Sequence, residues 1–300
     1  MFHVKQALPT PINKDNLMNL SSAKHFLNVK DYSVSQETFE LLHDEELDML
    51  ITHPQPSLEK LPSYYESVDY ISHTDGNKSL FEKMYQFVKT IALKNKLKLI
   101  NSQSAKGRIL DIGAGVGDFL TVAKNDGWET IGIEPSDKAK AIAKNKGVSF
   151  VESLSELESN SFDVITMWHV LEHVPDLENQ IKELKRLIKP TGTVIVAVPN
   201  FKSYDAEYYG KFWAAYDIPI HLWHFSKTAI KKLFAKEELE LKEVLPMKFD
   251  SFYVSLLSEK YKTRKMNFIK AFFIGWKSNW KGSQNSEYSS HIYVLKNTKK

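Results

Sequence analysis

The sequence predicts an α/β fold built on a doubly wound, mainly parallel sheet of seven strands. From Arg108 onward, short runs rich in β-branched residues alternate with segments whose apolar residues recur at helical spacing. Gly127, Gly147 and Gly192 lie where helices should end. Strands that alternate with helices form βαβ units, so the sheet should be covered by helices on both faces.

The predicted elements follow one another at short intervals. Strands are expected at residues 109–112, 130–133, 148–151, 162–167, 193–198, 239–245 and 291–295. Helices are expected at residues 118–126, 137–146, 177–188 and 226–238. Two aromatic segments without a regular period, at about 200–226 and 250–286, are predicted insertions, of which the first would form a cap.

The chain upstream of this pattern has a different character. Residues 1–80 contain short strand-like runs and Pro-rich turns, and we predict that they form an N-terminal accessory region. A basic helix at about 79–98 should lead into the second domain, residues 81–300.

Composition excludes several classes of protein. Of 300 residues, 42% are hydrophobic and 26% are charged, as in globular chains, and the net charge of +3 indicates no strong attraction to nucleic acid. Because the chain has no cysteine, disulfides, thiolate zinc sites and cysteine nucleophiles are excluded. We find no signal peptide and no apolar run of membrane-spanning length, so we expect a cytoplasmic protein.

A glycine-rich loop follows the first strand of the pattern. Its members are Asp111, Gly113, Ala114, Gly115 and Gly117. Glycines at such a site let the backbone turn tightly and approach a ligand closely. A dinucleotide fingerprint would need its third glycine at position 118, where the chain has Asp118, so a dinucleotide is the weaker interpretation. The Asp111 carboxylate suits a ligand that carries an ammonium group.

The next two strands end in further candidate ligands. Glu134, followed by Pro135, lies about twenty residues beyond the glycine loop, where a carboxylate can accept hydrogen bonds from both hydroxyls of a ribose. Glu152, Ser153 and Leu154 follow the third strand, where an adenine edge would lie.

Together these segments resemble class I S-adenosylmethionine-dependent methyltransferases, and the block 162–174, which contains Leu-Glu-His-Val, looks like the ubiquinone-biosynthesis-type branch. The resemblance covers about residues 80–300 and implies a Rossmann-like methyltransferase fold. It also implies S-adenosylmethionine as cofactor and S-adenosylhomocysteine as product. The methionine part would pack on loop 111–117, the ribose on Glu134 and the adenine near 152–154, with Trp168 and His169 as the floor.

Methyl transfer from a sulfonium requires orientation and the exclusion of water, and an oxygen acceptor often requires a general base as well. Histidine suits that task near neutral pH. In related methyltransferases a segment like 210–226 lies beside the donor methyl, so His221 and His224 are candidate bases. For His221 a structural role is equally open, His224 could cap the next helix with Ser226, and His169 could shape the cofactor pocket.

The sequence predicts no metal site, because His221 and His224 have no third ligand nearby. Residues 39–56 resemble the segment that precedes the methyltransferase domain in many bacterial family members, where a zinc knuckle with a C-x-x-C pair is common. Here Asp44 and Leu47 occupy the ligand positions, so the metal is not carried over. Tyr64, Tyr65 and the run 70–73 are predicted to form either a lid or a packing arm.

The segment 260–281 is basic and aromatic. A helical interpretation places Phe268, Phe272, Trp276 and Trp280 on one side. We expect this stripe to pack on its own domain or on a second subunit; RNA and an anionic lipid surface are the alternatives.

These observations predict an enzyme that moves the methyl group of S-adenosylmethionine to a small-molecule or saccharide acceptor, at oxygen. A nucleic-acid methyltransferase is one alternative, although the chain has no Asn-Pro-Pro-Tyr-type motif and we expect no DNA partner. A catalytically idle nucleotide-binding scaffold is the other. A homodimer is a further expectation.

Overall fold

The computed structural model describes residues 22–65 and 80–298. In these ranges the strands are β1 (Lys24–Lys30), β2 (Thr38–Asp44), β3 (Met49–His53), β4 (Arg108–Ile112), β5 (Glu129–Ile133), β6 (Ser149–Phe150), β7 (Phe162–Trp168), β8 (Ile188–Pro199), β9 (Trp223–His224), β10 (Leu239–Pro246) and β11 (Ser290–Asn297). The α-helices are α1 (Leu80–Gln103), α2 (Asp118–Asn125), α3 (Asp137–Asn145), α4 (Leu177–Leu187), α5 (Tyr204–Tyr209), α6 (Lys227–Ala235), α7 (Asp250–Thr263) and α8 (Phe268–Asn285).

Within the described residues, the larger sheet has seven strands in the order β10-β11-β8-β7-β4-β5-β6. The strands from β8 to β6 are parallel to their neighbours, and β11 is antiparallel to both β8 and β10. This topology confirms the predicted doubly wound, mainly parallel sheet. The winding direction reverses between β4 and β7, and ligands of such sheets bind at the carboxyl ends of the strands beside that reversal.

The central strands are buried on both faces because their side chains alternate between two helical layers. Ile109, Val164 and Ile195 share one apolar cluster with residues of α1, α2 and α3. Their neighbours Leu110 and Ile165 point the other way, into a cluster that contains residues of α4 and α6. Successive residues of a strand thus face opposite helical layers. Because both layers are apolar, the strands are continuous apolar runs in the sequence.

The smaller sheet joins the accessory region to the cap insertion. Its order is β1-β2-β3-β9, and β9 belongs to the segment 200–226. Leu50 pairs with His224 and Ile51 with Trp223. The hydroxyl of Thr52 donates a hydrogen bond to the carbonyl oxygen of His221 at 2.6 Å. The predicted boundary after residue 80 falls in the first turn of α1.

A side-chain hydrogen bond holds the turn between β2 and β3. The Asp44 carboxylate accepts a hydrogen bond from the Leu47 amide at 2.9 Å, and the Leu47 side chain is buried. Tyr64 and Tyr65 are also buried, and the Tyr65 hydroxyl lies 3.3 Å from Nδ1 of His173. The predicted lid residues 70–73 lie outside the described residues.

The segment 250–286 forms a helical hairpin, α7 and α8, inserted between β10 and β11. The two helices pack closely: a Cβ added to Gly275 would lie 2.8 Å from the Phe252 ring. Among the helices of the described ranges, none combines the length and the apolar character that crossing a bilayer requires.

Replacing Thr52 with valine should destabilise the protein, because the change leaves the His221 carbonyl and Nε2 of His224, 3.0 Å from the hydroxyl, without this partner in a buried place. We expect the free energy of unfolding to fall by about 1–3 kcal/mol. Thr38→Val, at an exposed position of β2, is the matched control and should change it by less than about 0.5 kcal/mol. Urea unfolding measures both, and equal losses would contradict the proposed role of Thr52.

Candidate functional site

The candidate site lies where β4, β5 and β7 end, next to the reversal of the sheet. The loop 111–117 follows β4, Glu134 follows β5, and Trp168 and His169 close β7. Parallel strands bring these three carboxyl ends to one edge, so the structure places the predicted cofactor residues together.

The glycine loop needs glycine at two positions for steric reasons. Gly113 has φ +75°, and a Cβ there would lie 2.3 Å from Cγ2 of Val170. Gly117 has φ +74°, and a Cβ there would lie 2.7 Å from Cβ of Ala143. The amides of Gly113 and Ala114 both donate to the carbonyl oxygen of Ile133, at 2.8 and 3.0 Å. The loop is thus fixed to the end of β5.

Glu134 ties the two loops together. One carboxylate oxygen accepts a hydrogen bond from the amide of Gly115 in the glycine loop, at 2.8 Å. The other accepts one from the amide of Ser136, just after Pro135, also at 2.8 Å. The side chain is buried, and burial raises its pKa against the opposing effect of these two amides. The carboxylate therefore sits in a fixed orientation at the position expected for a ribose ligand.

Asp111 lies next to a lysine that the sequence analysis did not single out. The Thr166 hydroxyl donates to Oδ1 of Asp111 at 2.6 Å, and Nζ of Lys96, from α1, lies 4.2 Å from the centroid of the Trp168 ring. Burial raises the pKa of Asp111 to about 7 and lowers the pKa of Lys96 to about 8, although each charge favours the other. A negative and a positive group thus face the floor of the site.

The residues after β6 are closer to the surface. The Glu152 side chain is largely exposed and bonds to Nζ of Lys140 at 2.8 Å. The Ser153 amide donates to the carboxylate of Glu156 at 2.9 Å, which fixes a short helical turn, and Leu154 packs against the apolar core. These residues form the outer rim of the edge predicted for adenine.

His169 is a charged residue rather than a base. Its Nε2 lies 3.1 Å from Oδ2 of Asp250, and its Nδ1 lies 3.4 Å from Oε1 of Glu172. Burial alone would lower its pKa, but hydrogen bonds to Asp250 and Glu172 outweigh burial and raise the pKa to about 10. An imidazolium at neutral pH cannot accept a proton, so His169 is unsuited to general-base catalysis.

His221 and His173 share a defined tautomer. Nδ1 of His221 lies 2.9 Å from the carbonyl oxygen of Ala215, and Nδ1 of His173 lies 3.1 Å from that of Ile220. A ring nitrogen that faces a carbonyl oxygen carries a proton, so in the neutral form of each ring Nε2 is the nitrogen with the free lone pair. The two rings meet edge to face with centroids 4.5 Å apart.

Glu172 completes a cluster with these two histidines. Only 1% of its surface is exposed, and its Oε1 lies 3.4 Å from Nδ1 of His169. Three ligand atoms, one each from Glu172, His173 and His221, lie within 4.8 Å of one another. These residues could therefore hold a divalent cation. The sequence did not predict this set, because only the pair His221 and His224 lies close together along the chain; the absence of a metal stays a prediction.

His224 has a different environment. Its Nε2 lies 3.0 Å from the Thr52 hydroxyl, and its ring centroid is 6.3 Å from that of His221. Burial lowers its pKa well below the usual value. The adjacent Ser226 hydroxyl accepts a hydrogen bond from the Ala229 amide and so caps α6. This geometry favours the structural role that the sequence left open.

The chain matches known proteins over most of its length. Residues 80–244 match a family described as a methyltransferase domain. The ubiquinone biosynthesis O-methyltransferase of Rickettsia canadensis is 26% identical over 251 residues, which cover 78% of this chain and 96% of that protein. The protein of the same name from Actinobacillus pleuropneumoniae is 33% identical over 131 residues, 37% of this chain and 56% of that protein.

A solved structure shows the same fold at low identity. Geranyl diphosphate C-methyltransferase from Streptomyces coelicolor, in complex with Mg²⁺, geranyl diphosphate and S-adenosylhomocysteine, aligns with a TM-score of 0.52 and 14% identity, covering 77% of this chain and 90% of that one. The sheet order, the glycine loop and these matches agree. The chain belongs to the methyltransferase domain family and is an S-adenosylmethionine-dependent methyltransferase.

Proposed function

We propose that this enzyme methylates a hydroxyl group of a small molecule and that His221 is the general base. The observation that carries the proposal is the orientation of the His221 ring, whose Nδ1 faces the carbonyl oxygen of Ala215 and whose Nε2 is thereby the acceptor of the neutral ring, in a buried cluster with the Glu172 carboxylate. His169 links that cluster to the cofactor floor, because it follows Trp168 directly and contacts Glu172.

The donor would be held by complementary charges. Asp111 suits the ammonium of the methionine part, Lys96 suits its carboxylate, and Glu134 suits the ribose hydroxyls. Burial destabilises the charged forms of Asp111 and Lys96. The ammonium and carboxylate of a bound zwitterion would stabilise these charged forms again.

The reaction then has a simple balance. The acceptor oxygen attacks the methyl carbon, the carbon–sulfur bond breaks, and its electron pair leaves on sulfur, which becomes a neutral thioether. The hydroxyl proton passes to Nε2 of His221. The resulting imidazolium would lie next to the Glu172 carboxylate and 4.0 Å from Oδ2 of Asp217, and nearby negative charge favours the protonated ring.

A small polar and aromatic cavity lies beside the candidate base. It lies between β1 and the cap insertion, has room for about one water molecule, and Asp31, Tyr32, Trp213, Asp217 and Tyr261 are among its lining residues. Asp217 connects it to His221, because Oδ2 of Asp217 lies 4.0 Å from Nε2 of His221. A saccharide acceptor stays a prediction. The name of the matched relatives also supports oxygen as the methylated atom. A homodimer and a cytoplasmic location stay predictions.

Glu134→Gln should weaken the binding of S-adenosylmethionine, because the neutral amide loses charge-assisted hydrogen bonds to the ribose. We expect an increase in Kd of about 10–100-fold, measured by calorimetry. Glu129→Gln, at the exposed start of β5, is the matched control and should leave Kd unchanged. An unchanged Kd for Glu134→Gln would remove this residue from the donor site.

Donor affinity should depend on pH with a maximum between about 7 and 8. Below pH 7 Asp111 gains a proton and loses its attraction for the ammonium; above pH 8 Lys96 loses its proton and its attraction for the carboxylate. One unit beyond either pKa, about a tenth of the protein keeps the charge, so Kd should rise about tenfold. Calorimetry from pH 5.5 to 9.5 measures this profile, and in Lys96→Met the alkaline rise in Kd should be smaller, because only the titration of the donor's own ammonium then remains.

His221→Gln should lower kcat by about 10²–10⁴-fold with little change in donor Kd, because the variant loses the proton acceptor but no donor contact. His25→Gln, at an exposed position of β1, is the control and should retain full activity. Methyl transfer to a panel of hydroxylated acceptors is followed by mass spectrometry. The assay is repeated with a chelator and with added Mg²⁺, and a rate that requires the cation would assign the cluster to metal binding instead of proton transfer.

A further inference from the structure

The outward side of α8 and the turn before it carry large apolar side chains that the described fold does not cover. Between 45% and 73% of each is exposed, and they are Met266, Ile269, Phe272, Phe273, Trp276 and Trp280. The described part of the domain thus covers these side chains only in part, as where Phe272 stacks on the Phe252 ring at 5.5 Å, and packing on a second subunit stays a prediction. Contiguous exposed apolar surface of this kind marks an interaction site.

The same helix turns small residues toward the protein. Ala271, Gly275, Ser278 and Gly282 are its buried positions. At about 100° per residue, these four lie on one side of the helix, whereas Phe272, Ile269, Trp276, Trp280 and Phe273 cover an arc of roughly 100° on another. Small residues thus face the protein, and most of the large aromatic residues of α8 lie on a different side of the helix.

Positive charge borders the aromatic arc. Residues 260–285 contain seven Lys and Arg side chains and no Asp or Glu, although the whole chain has a net charge of only +3. Lys270, Lys277 and Lys281 form a row along one edge of the arc, since they fall at neighbouring angles on the helix. Lys270 is partly compensated by Glu259 at 3.1 Å. Lys277 and Lys281 lie over the Tyr204 ring and keep exposed ammonium ends.

We propose that α8 and the turn before it dock on an anionic membrane surface. The aromatic arc would enter the boundary between headgroups and acyl chains, and the lysine row would face lipid phosphates. Tryptophan and lysine favour that depth, and a helix with an apolar side and a cationic edge lies in the plane of the interface. This inference does not depend on which acceptor the enzyme methylates.

Two other occupants fit the surface less well. A second copy in a two-fold symmetric contact would bring the same basic segment against itself, where like charges repel. Single-stranded RNA would need a series of stacking rings, but Ile269 and Met266 interrupt the aromatic side chains with aliphatic ones that have no π face. Acyl chains, in contrast, pack against aromatic and aliphatic side chains alike.

The docked side adjoins the candidate site. α7, on which α8 packs, begins at Asp250, whose carboxylate contacts His169. Phe249, the preceding residue, is exposed, and the Asn279 side chain of α8 donates a hydrogen bond to the carbonyl oxygen of Lys248 at 2.8 Å, so this part of α8 lies beside the start of α7. An enzyme bound through α8 would thus hold the start of α7 near the lipid surface.

Vesicle sedimentation tests the proposal with the full chain. We expect binding to vesicles that contain phosphatidylglycerol and little binding to phosphatidylcholine alone. Phe272→Ser/Trp276→Ser should abolish binding, and Lys265→Gln/Lys281→Gln should lower the partition coefficient about tenfold or more. Lys144→Gln/Lys236→Gln, which removes two exposed charges from α3 and the end of α6, is the matched control and should bind as the unchanged protein does. Methyl-donor affinity checks that each variant is folded.

Three outcomes would overturn the proposal. The first is equal binding of the aromatic double variant and the unchanged protein to anionic vesicles, or no binding by either. The second is a dimer in sedimentation velocity that the aromatic double variant loses. The third is binding of single-stranded RNA that depends on the same aromatic residues while vesicles are ignored.

Discussion

A carboxylate with 1% of its surface exposed needs positive charge close by, and Glu172 obtains it from the His169 imidazolium. His169 in turn contacts Asp250, so one cation serves two anions from different elements. Burial raises the pKa of Glu172, but the neighbouring histidines outweigh burial and lower it. This ion pair fixes the end of β7, and with it the floor of the donor site on one side and the histidine cluster on the other.

The accessory region takes part in this arrangement from outside. Thr52 of β3 donates to the backbone of His221 and lies beside His224, while Tyr65 lies next to His173. The backbone carbonyls that select the histidine tautomers belong to the cap insertion, which β9 joins to the accessory sheet. The geometry of the candidate base is therefore set by parts of the chain more than 150 residues apart in sequence.

The sequence sufficed for the sheet and for the places of the glycine loop and Glu134 at one edge of it, because each depends on local period or on spacing after a strand; their binding of the donor stays a prediction. It did not suffice for Lys96 or Asp250. Both are ordinary charged residues of helices, and only tertiary packing turns them toward the site. The pairing of His173 with His221 joins two loops across 48 positions and leaves no local signal. β9 has two residues, too few for any period to show.

The glycines of α8 have one more effect. Gly275 meets Phe252 and Gly282 meets Tyr288 at distances that would admit no Cβ without a shift. Two such close contacts, seven residues apart, prevent the helix from rolling about its own axis. The direction in which its outer side faces is then a property of the whole fold. A flat surface that binds this helix would orient the entire enzyme in a single pose.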